Sequence, residues 1–377
     1  MNQAAVSEPA PVPTSRERMD VSVLVPVFNE ERHIREAVAA MQAQEFDGSI
    51  ELLFADGNST DRTREILLAL ASRDPRIRVL DNPRRGTASG LNVALRAARG
   101  EFIARMDAHT VYSSEYLAAG VKRLRRGDAE WVSGPAVPRP HGAISRAVTL
   151  ALASWMGRGG SRKWSEDAAG ARERELDTGV FCGVWWRSSL LEAGGWDERW
   201  PVNQDSEMAA RFLRRGARLV CLPEMAAHYA PRDSLRALAR QYFRYGFYRA
   251  RTFRRHPHSM RVSHLAAPTL ALTLLGSVTG PRAPRSACRL ALAGYLTAVL
   301  GTAAGVAARE GSRRDGALML AVLPTMHLSW GFGTLAGAAR FGAPIAAFRH
   351  LLGRAPGSYA TEPGDGVFAP SLHEAAA

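Results

Sequence analysis

The chain has 377 residues, 46% of them apolar, so it can bury a full core and still carry an appendage. Its formal net charge of +13 suits phosphate-bearing substrates or an anionic membrane surface, and with no recognised DNA- or RNA-binding motif nucleic acid is set aside as a partner. Cys182, Cys221 and Cys288 are odd in number, widely spaced and without a CxxC pair, and read as reduced thiols in a protein facing the cytosol.

Met1 to Arg18 is rich in Ala, Pro and Ser and has no apolar h-region, so it reads as a disordered segment and not a signal peptide. Val21 to Val27 is a β-branched run predicting a buried strand, with Pro26-Val27-Phe28-Asn29-Glu30 as its exit. Helical spacing follows from Glu30 to Gln44, with Ile34, Ala37, Val38 and Met41 on one face. Ile50 to Ala55 predicts a second strand, closed by Asp56-Gly57-Asn58-Ser59-Thr60-Asp61, whose polar residues can cap a helix over Arg62 to Ser72. A strand at Ile77 to Leu80, a helix at Thr87 to Ala98 and a strand at Glu101 to Met106 complete a strand–helix alternation that implies a parallel, doubly wound α/β sheet.

Trp131 to Val137 and Gly179 to Arg187 read as less regular strands, with Arg158 to Arg174 as a mobile loop between them. Gly194-Gly195-Trp196-Asp197-Glu198 makes a turn before Asn203-Gln204-Asp205-Ser206-Glu207, which opens a helix to Arg215; Leu219 to Leu222 is expected as the final strand. Leu235 to Arg255 reads as a basic amphipathic helix at a membrane interface. Beyond Pro257 the character changes. Val262 to Thr279, Leu290 to Ala308 and Gly316 to Ala339 are nearly uncharged and approach the ~20 residues that cross a bilayer. Both connecting loops are basic, so charge bias gives no clean orientation. The organisation expected is a segment over 1–18, an α/β domain over 19–256, a helical membrane region of two to three spans over 257–345, and a tail over 346–377.

Asp107-Ala108-His109 closes the strand ending at Met106. A carboxylate and an imidazole there offer a divalent cation two ligands, and such an ion can neutralise a diphosphate beyond the carboxyl ends of the strands. Pro26 to Glu30 and Asp56 to Asp61 end neighbouring strands at the same edge. Asp56 could accept a hydrogen bond from a nucleobase N–H and Glu30 from a ribose hydroxyl, while Asp61 reads as a cap. Trp185 and Trp186 could stack on a sugar or fill the core, and His228 could be a third metal ligand or an ordinary histidine. Arg85 and Arg105 could assist a phosphate or be solvated surface side chains.

Taken in order, Pro26-Val27-Phe28-Asn29-Glu30, Asp56-Gly57-Asn58-Ser59-Thr60-Asp61-Arg62-Thr63, Asp107-Ala108-His109, Gly194-Gly195-Trp196-Asp197-Glu198 and Asn203-Gln204-Asp205 resemble the signature series of family 2 glycosyltransferases of the GT-A fold, over roughly residues 20 to 250. With His327-Leu328-Ser329-Trp330-Gly331 in the tail, the Asp-Ala-His variant resembles the succinoglycan-type glucosyltransferases of bacterial exopolysaccharide synthesis. The resemblance implies a mixed, mainly parallel sheet and inverting transfer of a hexose from a nucleotide-diphosphate sugar, UDP-glucose or similar, to a lipid-linked saccharide. It assigns Pro26, Val27, Asn29, Glu30, Asp56 and Asp107 to the nucleotide sugar, Asp107 and His109 to Mg²⁺ or Mn²⁺, and Asp205 to the base that deprotonates the acceptor. Gln241-Tyr242-Phe243-Arg244-Tyr245 resembles the element that holds acceptor or diphosphate in processive members, which adds Gln241 and Arg244 beside Trp185. The enzyme is then expected at the inner membrane with its catalytic domain facing the cytoplasm.

Two positions depart from the family pattern: Gln204 stands where Glu usually precedes the base, and His109 where an Asp usually ends the metal motif. Imidazole favours Mn²⁺ over Mg²⁺. Glu207 is a rival base, two residues past Asp205 and so on another face of a helix; Asp197 and Glu198 read as shaping the acceptor loop. Transfer to a polyprenyl phosphate, or a catalytically silent membrane scaffold that binds nucleotide sugar, are the competing readings.

Overall fold

The computed structural model describes residues 19–158, 172–179 and 182–353; the segment expected over 1–18, most of the loop expected between Arg158 and Arg174, and the end of the tail lie outside them. β1 (Val21–Val27), α1 (Ile34–Gln42), β2 (Ile50–Asp56), α2 (Thr63–Ala71), β3 (Ile77–Asp81), α3 (Thr87–Ala97) and β4 (Phe102–Arg105) follow the predicted alternation closely. All of β2 is buried, because helices cover both faces of a parallel sheet; between Glu51 and Asp56 its sequence is accordingly apolar without alternation. The register pairs Val27 with Asp56 and Leu24 with Arg105, so the exits of β1, β2 and β4 lie side by side.

The chain then forms β5 (Thr110–Tyr112), α4 (Tyr116–Leu124), β6 (Trp131–Ser133), β7 (Ala136–Pro138), α5 (Ala143–Ala153), α6 (Trp155–Arg158), β8 (Arg174–Leu176), β9 (Gly183–Trp186), α7 (Arg187–Glu192), α8 (Gln204–Arg214), β10 (Leu219–Cys221) and β11 (Ala227–Tyr229). One sheet has the order β3-β2-β1-β4-β9-β6-β10-β8, and a smaller one β5-β11-β7. β9 runs antiparallel to both β4 and β6, and β8 antiparallel to β10, which makes the large sheet mixed and mainly parallel. Two expectations need correcting. The single strand read from Trp131 to Val137 breaks at Gly134-Pro135 into β6 and β7, which belong to different sheets; proline cannot donate to the first ladder. The strand at Leu219 is not the last, since β11 follows it and pairs with β5 and β7.

Five helices complete the described chain: α9 (Leu235–Arg255), α10 (Ala266–Thr279), α11 (Arg282–Glu310), α12 (Arg313–Phe341) and α13 (Ile345–Leu351). The tail expected from 346 therefore opens as helix. Among the described residues three helical stretches, Val262–Thr279, Arg282–Glu310 and Arg313–Phe341, are long and apolar enough to cross a membrane. α12 lies along α9 at very short range. A Cβ on Gly333 would stand 2.1 Å from the Phe243 carbonyl oxygen, and one on Gly246 2.1 Å from that of Trp330.

α5, which the sequence reading passed over, joins the sheet domain to this bundle. Ala147, Val148 and Ala151 share an apolar cluster with Val299, Ala303, Val322 and Met326. Arg146 donates to Asp315 at 2.9 Å and to Glu310 at 3.1 Å, and His327 lies 3.2 Å from the Met156 carbonyl.

Candidate active site

The β1 and β2 exits are laced to each other by their own polar side chains. Asn29 and Asn58 both sit at φ 56°, a left-handed conformation that asparagine tolerates better than most residues. The Asn29 amide N–H donates to Ser59 Oγ at 3.0 Å, and its side-chain oxygen accepts from the Thr60 N–H at 2.8 Å. The Glu30 N–H donates to Thr63 Oγ1 at 2.7 Å, and Thr63 in turn donates to Asp61. Asp61 is the turn residue expected here, accepting from the Thr63 N–H and hydroxyl two residues on, although Arg62 and not Asp61 holds the N-cap position of α2; burial opposes, but these hydrogen bonds hold its carboxyl below the usual range. Pro26 and Val27 are the last strand residues below this loop.

Asp56 is fully buried. One oxygen accepts from the Ser59 N–H and hydroxyl at 3.2 and 2.6 Å, and the other from Arg64 at 3.2 Å. Arg64 also pairs with Asp81 at 2.8 Å, and it covers the carboxylate on the solvent side. Arg85, considered above as a phosphate contact, is exposed and takes φ 59° beside Gly57.

At the end of β4, Arg105 and Asp107 leave the strand two residues apart and so on the same face. Arg105 is 3% exposed and not the solvated side chain that was one reading of the sequence. Its Nε and NH2 donate to the two Asp107 oxygens at 2.9 and 3.1 Å, and its NH1 donates to Asp205 Oδ1 at 2.7 Å. Burial alone would lower the guanidinium's pKa, but the two carboxylates raise it well above its ordinary value and keep it charged. The Asp107 N–H donates to Tyr112 Oη at 2.7 Å, fixing the turn that leads to His109. His109 Nδ1 lies 3.0 Å from Glu30 Oε1, and that carboxylate, with Asp107, raises the imidazole's pKa against the effect of burial.

Asp107 and His109 thus stand at one strand end with Glu30 beside them. Among the described residues no three His, Cys, Asp or Glu side chains converge into a closed cage. One carboxylate and one imidazole fit a divalent ion that completes its shell with diphosphate and water oxygens. His228, weighed as a third ligand, pairs through its backbone with Val111 and Val137 in the small sheet and enters no such cluster.

Asp205 sits in the first turn of α8, where the helix dipole favours a carboxylate. Asn203 before it takes φ 64° and donates from Nδ2 to the Tyr245 carbonyl at 2.8 Å, tying α8 to α9. Gly179 presses on the same turn, since a Cβ there would stand 2.4 Å from the Asp205 carbonyl oxygen. The rival carboxylate behaves differently. Glu207 is fully buried, takes Arg211 on both oxygens at 3.0 Å, and lies 3.1 Å from His256 Nε2. Burial would raise its pKa, but Arg211 and His256 hold it down at about 2. Arg211 continues to the Gly195 carbonyl at 2.8 Å, and Asn92 accepts from the Trp196 N–H and donates to the Trp196 carbonyl, so the Gly194-to-Glu198 loop is pinned from two sides.

Trp185 does not reach a sugar. It is 1% exposed and packs against Trp131 and Trp196 with centroids 5.0 and 5.8 Å away, the core alternative of the sequence reading. Gln241 Nε2 donates to Tyr245 Oη at 3.1 Å, and Arg244 is exposed on the same helix. Burial raises the Tyr245 phenol's pKa, with Arg232 opposing and Asp205 adding to it. The arrangement missed from sequence is the Arg105 link; its one signal was a charged residue inside an otherwise apolar strand.

Residues 22–181 match the family described as Glycosyl transferase family 2. The succinoglycan biosynthesis protein ExoA of Rhizobium meliloti (strain 1021) is 29% identical over 326 residues, covering 82% of this chain and 92% of that protein. A dolichyl N-acetyl-alpha-D-glucosaminyl phosphate 3-beta-D-2,3-diacetamido-2,3-dideoxy-beta-D-glucuronosyltransferase of Methanococcus voltae is 23% identical over 234 residues, 60% of this chain and 71% of its own length. The mannosyltransferase PcManGT of Pyrobaculum calidifontis, solved with GDP-Man and Mn²⁺, shares the fold at a TM-score of 0.51 and 24% identity, over 84% of this chain and 89% of that one.

Proposed function

We propose, on the premise that this is a glycosyltransferase carrying a family 2 domain, that it moves a hexose from a nucleotide-diphosphate sugar to a lipid-linked saccharide in exopolysaccharide or cell-envelope glycan synthesis. The observation that carries the reading is the meeting of Asp107 and Asp205, from distant parts of the chain, on one buried arginine at the carboxyl edge of the sheet. One carboxylate suits the diphosphate end of a donor and the other suits an acceptor hydroxyl.

In this reading the acceptor oxygen attacks the anomeric carbon as Asp205 takes its proton. The bond from that carbon to the diphosphate oxygen breaks, the electron pair leaves with the nucleoside diphosphate, and the anomeric configuration inverts. Asp107 and His109 would hold a Mg²⁺ or Mn²⁺ ion, which when bound neutralises charge developing on the departing diphosphate. Asn29 and Glu30 face the nucleoside from the β1 exit, and Arg64 must yield for Asp56 to meet the base. Gln241 and Arg244 are assigned to acceptor or diphosphate on α9. Residues 19–256 form the catalytic unit in this reading and 257–345 the membrane unit at the inner membrane, with the active edge towards the cytoplasm. The exposed apolar side chains of α10 and α11 support that attachment.

The test is a donor screen on purified, detergent-solubilised full-length protein, with UDP- and GDP-sugars, Mg²⁺ or Mn²⁺, and lipid-linked saccharide extracts as acceptors. Metal-dependent turnover of one donor that is lost in Asp205→Asn supports the reading. Donor binding without turnover under every acceptor, lipid phosphate included, favours the silent scaffold, and absence of donor binding overturns the assignment of the strand exits.

A further inference from the structure

We propose that Arg105 is a positioning residue that sets the catalytic base against the donor site; the inference rests on the reading of Asp205 as base given above. The geometry is that of a rigid fork. One edge of the guanidinium, Nε and NH2, meets both oxygens of Asp107, and the remaining branch, NH1, meets Asp205 Oδ1 at 2.7 Å. A planar guanidinium fixes the angle between two carboxylates, which an ammonium on a flexible stem cannot do. Arg105 itself cannot drift, because it ends β4 in register with Leu24 at the centre of the sheet. Asp205 arrives from another element, and Asn203 and Gly179 hold only its backbone turn. Arg105 meets the carboxylate itself, and so ties one of its oxygens to the donor edge.

Charge balance alone does not account for this pattern. A buried cation needs paired carboxylates, but either partner by itself could satisfy much of that need, and an apolar replacement of the set is often no less stable. Joining the donor-side carboxylate to the base makes donor seating and proton removal share one reference point. A misplacement of about 1 Å at such a site costs roughly 100-fold in rate, so a fork in this position has a kinetic consequence.

The experiment compares Arg105→Lys, Arg105→Ala, Asp205→Asn and the double variant Arg105→Lys/Asp205→Asn in the full-length protein. Donor affinity is measured by calorimetry, and transfer by steady-state kinetics. Arg105→Lys keeps the charge and loses the fork. It should cut kcat about 100-fold, and weaken donor affinity by much less than that, since Asp107 keeps a cationic partner. The double variant should be no slower than Asp205→Asn alone, since both changes act on one unit. Added methylguanidinium should restore part of the transfer lost in Arg105→Ala; if that variant does not fold, the lysine and double variants decide. Wild-type kcat in Arg105→Lys, or losses that multiply in the double variant, overturn the proposal. Wild-type transfer by Asp205→Asn instead overturns the reading of the base beneath it, whatever Arg105 does.

Discussion

The carboxyl edge of the sheet and the C-terminal helices invert each other's use of burial. The first hides charge: Arg105, Asp107 and Glu207 are all buried, each with partners of opposite sign. The second displays oil: Leu272, Val278, Leu290, Leu296 and Leu300 are each more than half exposed. Leaving side chains of this size in water forgoes about 1.5–3 kcal/mol each, too much to repeat along two helices unless the surrounding medium is itself apolar. Buried charge is equally expensive unless every partner is in place. The sheet edge therefore depends on its internal geometry, and the helices on what surrounds them.

That contrast can be broken most severely at Asp205, the proposed base. Asp205→Asn should lower transfer by roughly 10²–10⁴-fold with donor binding retained, read from kcat and a donor titration. Near-normal transfer would mean that buried charge at this edge is structural throughout.

Glu207→Gln tests the neighbouring carboxylate for stability instead of rate. Removing one partner of a buried ionic set costs roughly 3–5 kcal/mol, measurable by denaturant unfolding of the solubilised protein. The pH sign is fixed by the direction of its shift. A carboxyl held at about 2 in the fold and near 4.5 when unfolded contributes stability that is complete above 4.5 and lost as pH falls towards 2. The variant should lose that acid-dependent segment. Equal acid sensitivity in wild type and variant would place the acid-labile contacts elsewhere.

On the helical side, Gly333→Leu forces side-chain atoms against the Phe243 carbonyl and should cost roughly 1–3 kcal/mol by overpacking. Increased proteolytic cleavage between α9 and α12 would report it. An unchanged digestion pattern would show that the close approach is not needed to hold these helices together.

The smallest effect is expected at His109. Glu30 raises its pKa, and imidazole must lose its proton before it can bind a metal. Below that raised pKa, Mn²⁺ affinity should fall about tenfold per pH unit, and His109→Gln should remove this dependence. A pH-independent affinity in the wild type would take His109 out of the ligand set.

The two regions also differ in how far their sequences disclosed them. β1 to β4 were legible because their apolar runs are local and end in recognisable turn residues, and Val21 to Val27 was read to the residue. The three long helices were legible from apolar length alone. What stayed hidden was pairing over distance. Nothing near Arg105 in the sequence announces Asp205, and nothing in Ala143 to Ala153 tells that this helix packs on α11 and α12. The same holds for Trp185, whose neighbours Trp131 and Trp196 come from separate elements, and for Asp56, which Arg64 covers from the next helix.

Asn203 leans on Tyr245 of α9, and the outer wall of α9 is α12. Domains usually condense in the order in which the ribosome releases them, so the sheet can be complete while that wall is still being translated. The brace behind Asp205 is then finished by α12, the last of the long helices among the described residues.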